Sequence, residues 1–314
     1  MFAVAVNEYG GDPAVVELPK PKPGVRQILI KVRAAGTNPM DWQIANGAFK
    51  GLMPATFPLV LGADVAGVVE AVGEGTTKFA PGDEVFGQLV VAPIGSTGTY
   101  AEYVAVTEEA PLAKEPDALD PMAAAALPTA GVTALQIVAS LEPLTGKTAL
   151  IVGAGGGVGS FVTQYAANDG ARVIADARGS AADRMRSYGA AETIDYTAVS
   201  AADAVERAHP DGIDVLIDVA SDADGFAALA SLVRSGGTAL TTRYIADADA
   251  LNARGVTGVN FRVQMSSEVL EQLASDVVDG RIVVPPITKI ELDDVPFAMN
   301  TGDTHPDGKT VITL

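Results

Sequence analysis

Five glycines, Gly153, Gly155, Gly156, Gly157 and Gly159, stand between an apolar run, Ala149–Val152, and an amphipathic stretch carrying Phe161, Val162, Tyr165 and Ala166. Glycine turns tightly and lets the backbone approach a ligand closely. A helix that starts at such a turn offers unbonded N–H groups and the positive end of its dipole to an anion. The chemistry this pattern serves is the cradling of a pyrophosphate, and so the binding of a dinucleotide. A strict G-x-G-x-x-G occurs in no frame, but Ala154-x-Gly156-x-x-Gly159 keeps its offsets with alanine first. The strand before it and the helix after it are the context the motif requires. Ala154, Gly155, Gly156, Gly157, Val158 and Gly159 are therefore the expected phosphate-facing turn.

The next apolar run, Arg172–Ala175, closes on Asp176, Ala177 and Arg178. An acid at the end of this second strand would hold the adenosine ribose 2′-hydroxyl. The alignment puts Ala177 there, and the guanidinium of Arg178 suits a 2′-phosphate. That favours NADPH as cofactor. A shift of one residue makes Asp176 an NAD-type acid, and this alternative stays open. Ligands of such sheets sit at the carboxyl ends of the strands, which adds Val219 and Ala220 after a fourth strand and Thr241 and Thr242 after a fifth.

Other chemistries are excluded by residue supply. The chain has no Cys and two His, His209 and His305. A catalytic zinc draws three protein ligands, mostly from these residue types, so no metal site is expected, and a thiol nucleophile is ruled out. The formal charge of −18 repels nucleic acid and anionic membrane surfaces. There is no apolar run of about 18 residues and no leader pattern, so the expected setting is soluble and cytoplasmic.

These residues need elements to position them. Residues 1–120 read as short strands (Ala3–Val6, Gln27–Ala34, Ala66–Val72, Glu84–Phe86, Tyr103–Val106) cut by Pro and Gly, which suggests a partly open β-barrel. From Asp120–Pro121 onward strands and helices alternate. Strands are expected at Ala149–Val152, Arg172–Ala175, Glu192–Asp195, Val215–Val219, Thr238–Thr241 and Gly258–Val263, with helices at 158–168, 180–188, 200–208, 224–234 and 266–279. That is an α/β doubly wound parallel sheet of six strands. The tail returns to short strands at Ile282–Val284 and Thr310–Leu314, expected as edges of the first domain. The expected organisation is residues 1–120 with 266–314 as a β-rich catalytic domain, and 121–265 as an inserted Rossmann domain.

Several blocks, taken in order, resemble the zinc-free, zeta-crystallin-like quinone oxidoreductases of the medium-chain dehydrogenase/reductase superfamily. They are NEYGGDPAVVEL (7–18), GTNPMDWQIANG (36–47), PLVLGADVAGVVEAVG (58–73), FAPGDEVFG (79–87), GTYAEYVAV (98–106), LPTAGVTALQ (127–136), the glycine turn and THPDGKTVI (304–312). The resemblance implies a GroES-like barrel beside the Rossmann domain and NADPH between the two. Hydride would pass to a quinone or an activated α,β-unsaturated carbonyl. It implies a catalytic role for Asn38, as a donor to a substrate oxygen, and for Asp41; on the residues alone both are equally loop caps. It also implies cofactor contacts for Thr129, Ser180, Tyr196 and Lys309. It makes Asp64 structural and puts Ala63 where zinc relatives hold a ligand His. Phe49 replaces a Tyr common in enoyl-thioester reductases, which weakens that alternative activity. A nucleotide-binding redox sensor or structural protein with little turnover is the alternative of another class. In relatives the last strand of the nucleotide sheet pairs with its twin, and Thr257–Val263 is apolar here, so a homodimer is expected.

Overall fold

The structure is a computed structural model that describes residues 1–301 and 307–314. His305 and the start of the THPDGK block lie outside the described residues. The chain forms two compact units, residues 1–132 with 265–314, and residues 133–264.

The first unit begins with β1 (Phe2–Val6), β2 (Ala14–Glu17), β3 (Gln27–Gly36), α1 (Pro39–Ala45), β4 (Leu59–Val60), β5 (Asp64–Val72), β6 (Glu84–Gln88), β7 (Tyr103–Thr107) and β8 (Leu112–Lys114). The Ala-rich segment becomes α2 (Pro121–Ala126), followed by α3 (Pro128–Leu141), within which the unit boundary falls. Asp120 caps α2 by accepting from Ala123 N at 2.9 Å, and Pro121 opens its first turn. The first domain boundary was expected at 120/121 and lies at 132/133. The reason is packing: α2 lies across β3 and β5, and its small residues Ala124, Ala125 and Ala126 are fully buried there.

The second unit runs β9 (Thr148–Val152), α4 (Gly157–Asn168), β10 (Arg172–Ala177), α5 (Ala182–Ser187), β11 (Glu192–Asp195), α6 (Ala201–Ala208), β12 (Ile213–Asp218), α7 (Ala223–Ala230), β13 (Val233–Thr241), α8 (Ala248–Ala253) and β14 (Thr257–Asn260). Its six strands are all parallel in the order β11-β10-β9-β12-β13-β14, the doubly wound arrangement. The strands read as continuous apolar runs because helices cover both faces; Ala149, Leu150, Ile151, Leu216, Ile217, Ala239 and Leu240 are all fully buried. Three expectations needed adjustment. The helix expected at 224–234 stops at Ala230, because Val233 already belongs to β13. The last strand ends at Asn260 rather than Val263. α8 was not expected.

The chain then completes the first unit with α9 (Ser267–Val278), β15 (Ile287–Glu291), α10 (Val295–Thr301) and β16 (Lys309–Thr313). The larger sheet has the order β15-β16-β3-β5-β6-β8, with β7 also paired to β3; a smaller one is β2-β1-β4. Alternate residues of β3, β5 and β6 (Ile28, Ile30, Val32, Val65, Val69, Val85) fill the barrel core. Ile282–Val284 is not a strand: Pro285 and Pro286 follow it, and the strand forms after them as β15. β16 was expected at an edge but is interior, paired on one side to β15 and on the other to β3.

Candidate functional site

The glycine turn lies at the carboxyl end of β9. Gly153 has φ +78, a conformation that favours glycine, and turns the chain out of the sheet. Gly156 caps α4 with no side-chain cap, so the first N–H groups of a twelve-residue helix have no side-chain acceptor there. Gly159 lets the helix seat against the turn: a Cβ there would lie 2.2 Å from Gly153 O and 2.6 Å from Ala154 Cα. Ala154 and Gly155 are buried; Gly156, Gly157 and Val158 are half-buried on the first turn. This cradle fits a dinucleotide pyrophosphate, since close backbone approach and open helix N–H groups are what that group requires.

The flanking strand ends complete this edge. β10 closes on buried Ala177, and exposed Arg178 donates from Nε to Tyr196 Oη at 2.9 Å. Ser180 is exposed in the short 3₁₀ turn Gly179–Ala181, and Tyr196 is 48% exposed. Arg178, Ser180 and Tyr196 therefore belong to one end of β10 and β11. Asp176, the NAD-type acid of the alternative register, is only 5% exposed and stands one residue before the end of β10. On the other side, Ala220 N donates to Asp218 Oδ1 at 2.9 Å. Val219 is half-buried and Ala220 exposed. Thr241 is buried and its Oγ1 accepts from Arg243 N, while Thr242 N donates to Asp218 O.

The first unit gathers the other four expected residues into one buried network. Lys309 Nζ donates to Thr37 O and to Asn38 Oδ1, both at 2.8 Å, and lies 3.8 Å from Asp64 Oδ2. Asn38 Nδ2 donates to Asp64 Oδ2 at 2.9 Å and to Gly36 O at 3.5 Å. Thr129 donates to Asp64 from both its N and its Oγ1, the latter at 2.6 Å, and accepts from Gln88 Nε2. Asp41 Oδ2 accepts from Asn38 N and from Tyr100 Oη, each at 2.7 Å. The amide of Asn38 is thus fixed in orientation, with its oxygen on a cation and both hydrogens on acceptors. A donor aimed outward at a substrate, as expected for Asn38, is not what this geometry presents. Lys309 likewise directs its ammonium inward, where it faces the buried acids Asp64 and Asp41.

Burial raises the Asp41 carboxyl to about 7, against the Tyr100 hydroxyl and the Asn38 N–H, which favour its charge. Burial also raises Asp64, with Lys309 the strongest opposing influence. The same burial lowers Lys309, while Asp64 and Asp41 pull it back up. Tyr100 is pushed well above its ordinary value, first by burial and then by Asp41. Sequence reasoning missed Tyr100, Gln88 and Thr37, and gave Asp64 no specific partner. An apolar context around an acid, as in LGADVAG, is the one local signal that something must satisfy it.

The donor set does not fit a catalytic zinc. The chain has no Cys, Ala63 is fully buried where a ligand His would stand, and His209 Nε2 lies 3.2 Å from Glu192. Among the described residues no three His, Asp or Glu are grouped to hold a metal. No helix among them is long and apolar enough to cross a membrane.

The two units together define a GroES-like barrel joined to a nucleotide-type parallel sheet. Comparison agrees: residues 24–117 match the alcohol dehydrogenase GroES-like domain, and residues 157–277 match the zinc-binding dehydrogenase family. An NADPH-dependent alkenal/one oxidoreductase of Arabidopsis thaliana is 33% identical over 99% of this chain and 79% of its own length. A chloroplast envelope quinone oxidoreductase homolog of the same plant is 37% identical, but the match spans 62% of this chain and 61% of that relative. The quinone oxidoreductase structure from Coxiella burnetii superposes with a TM-score of 0.86 at 26% identity, over 100% of this chain and 99% of that one. The chain belongs to the medium-chain dehydrogenase/reductase superfamily, among its quinone oxidoreductase-like members.

Proposed function

We propose that this chain is an NADPH-dependent, metal-free reductase that passes hydride to a quinone or an activated α,β-unsaturated carbonyl. The observation that carries the cofactor preference is the end of β10, where Ala177 is followed by exposed Arg178 bonded to Tyr196 Oη. β10 itself ends without a carboxylate; the acid at this edge is Asp195 on β11, in register with Ala177, and its Oδ1 is held by Thr197 N and Oγ1. The turn from Gly153 to Gly159 would hold the pyrophosphate, and Arg178, Ser180 and Tyr196 the 2′-phosphate and adenine. Val219, Ala220, Thr241 and Thr242 would line the rest of the edge. When bound, the dinucleotide supplies the hydride. Without a metal to polarise a carbonyl, the acceptor must already be electron-poor, as quinones and conjugated ketones are. Asn38, Asp41, Thr129 and Lys309 act as positioning residues, holding one another rather than reaching out.

Steady-state kinetics on a panel of quinones and enones test this reading. NADPH should be preferred over NADH, and turnover should survive prolonged EDTA treatment. Arg178→Ala should raise the Michaelis constant for NADPH by roughly ten- to a hundredfold, the value of a charge-assisted hydrogen bond, and leave NADH nearly unchanged. A wild-type preference for NADH, or activity lost to EDTA and restored only by zinc, would overturn the reading.

We also propose a homodimer through β14. This edge strand pairs on one side only, with β13, and an open edge is a hazard unless covered. Sedimentation at tens of micromolar should show a dimer; a clean monomer would contradict it.

A further inference from the structure

β10 carries a carboxyl that the cofactor reading leaves unused. Asp176 is in register with Val152, and Val152 with Asp218, so the three side chains share one face at the carboxyl end of the sheet. Ala154 N donates to Asp176 O at 3.0 Å, which ties this strand end to the glycine turn itself. Asp176 is 5% exposed and Asp218 fully buried. Among the described residues, Asp176 Oδ1 and Asp218 Oδ2 are both buried with no hydrogen-bond partner.

The surroundings do not neutralise this pair. β9 contributes apolar Val152, and the first turn of α4 is Gly157, Val158, Gly159 and Ser160. β11 contributes another acid, Asp195, whose carboxylate holds Thr197. The other β11 acid, Glu192, is paired with Arg172 and His209. Arg178 turns its Nε to Tyr196, Arg184 donates to Gly155 O at 3.0 Å, and Asp183 pairs with Arg186. Two buried carboxyls without a matched cation are costly when both are charged, and the cheaper state keeps a proton on one of them. Burial first, and then the charges of Asp218 and Asp195, raise Asp176 to about 7.

We propose that a dinucleotide binds this sheet edge together with a proton, and that Asp176 is the group that takes it up. The inference rests on the dinucleotide reading above. Phosphates seated on the glycine turn bring negative charge beside Asp176 and favour its neutral form further. Below about pH 7 Asp176 is already neutral and binding takes up nothing. Above it, affinity falls by up to about tenfold per pH unit until the group ionises in the complex as well.

The test is the dissociation constant of NADPH, read from its own fluorescence between about pH 5.5 and about pH 9, for wild type, Asp176→Asn and Asp218→Asn. The 2′-phosphate itself titrates near pH ~6, so Asp176→Asn is the reference that cancels it. The ratio of wild-type to Asp176→Asn constants should stay near one at acid pH and rise steadily above about pH 7. Asp218→Asn keeps an acceptor for Ala220 N and Ser221 N while removing a charge, so it should move the wild-type break to lower pH. Parallel profiles for wild type and Asp176→Asn would overturn the proposal. If Asp176→Asn does not fold, an unmoved break in Asp218→Asn overturns it. Wild type that binds no NADPH at any pH overturns the dinucleotide reading itself, and this inference with it.

Discussion

Gly159→Ala should all but abolish NADPH binding while leaving a folded protein. The added Cβ would meet Gly153 O at 2.2 Å, Ala154 Cα at 2.6 Å and Gly153 C at 2.7 Å. All three are backbone atoms of the turn, so no side chain can swing aside. The conflict is relieved only if α4 withdraws from the end of β9. That moves the helix N–H groups away from the place where a pyrophosphate would sit. Displacements of about 1 Å in such a constellation cost on the order of a hundredfold. Over-packing adds a stability cost of about 1–3 kcal/mol. Titration with NADPH, beside a thermal melt, separates the two effects. An unimpaired Gly159→Ala, or a loss of NADPH binding no larger than the loss of folded protein seen in the melt, would show that seating the helix is not what makes this cradle.

The turn was legible in the sequence because two independent signals coincide there. Glycine spacing and the change from strand to helix period both fall between Val152 and Phe161, and the structure puts β9 and α4 on either side. β11 at Glu192–Asp195 was equally readable. Short elements were not. α8 has six residues, too few for a helical period to show, and its cap Asp247 resembles the surrounding loop acids. Ile282–Val284 misled because an apolar triplet looks the same whether it pairs or merely plugs a gap; Ile282 is buried without belonging to a strand. In the first unit, Asn38, Asp41, Thr129 and Lys309 were identifiable by resemblance, but what they do was not. Lys309 meets Asn38 across 271 residues of chain. Nothing local says that this lysine points inward, since lysine almost never does unless paired. Tyr100 and Gln88 were missed for the same reason: their roles exist only through partners far away in sequence. Asp176 shows the converse. Its identity raised a question about NAD that its type alone could not answer, and burial beside Asp218 gives it a different character.

Lys309→Met is expected to destabilise the first unit by about 3–5 kcal/mol, the usual consequence of leaving a buried charge without its partner. Methionine matches the length of the lysine stem and keeps its packing, so the loss would come from the ammonium. Three groups depend on it. Thr37 O and Asn38 Oδ1 each lose a donor at 2.8 Å, and Asp64 loses the cation 3.8 Å from its Oδ2. Asp64 is fully buried and would have to ionise unsupported or take up a proton. The second course frees the Asn38 amide to flip and loosens Thr129, which Asp64 holds by both backbone and hydroxyl. Asp64→Asn combined with Lys309→Met removes the stranded charge and should recover part of the stability lost by Lys309→Met alone. A double-mutant cycle measured by denaturant unfolding gives the coupling directly. If the pair supports the fold as the geometry indicates, Lys309→Met should be less stable than the double variant at neutral pH. Additive losses would mean that Lys309 and Asp64 act independently and that the ammonium serves only Thr37 and Asn38.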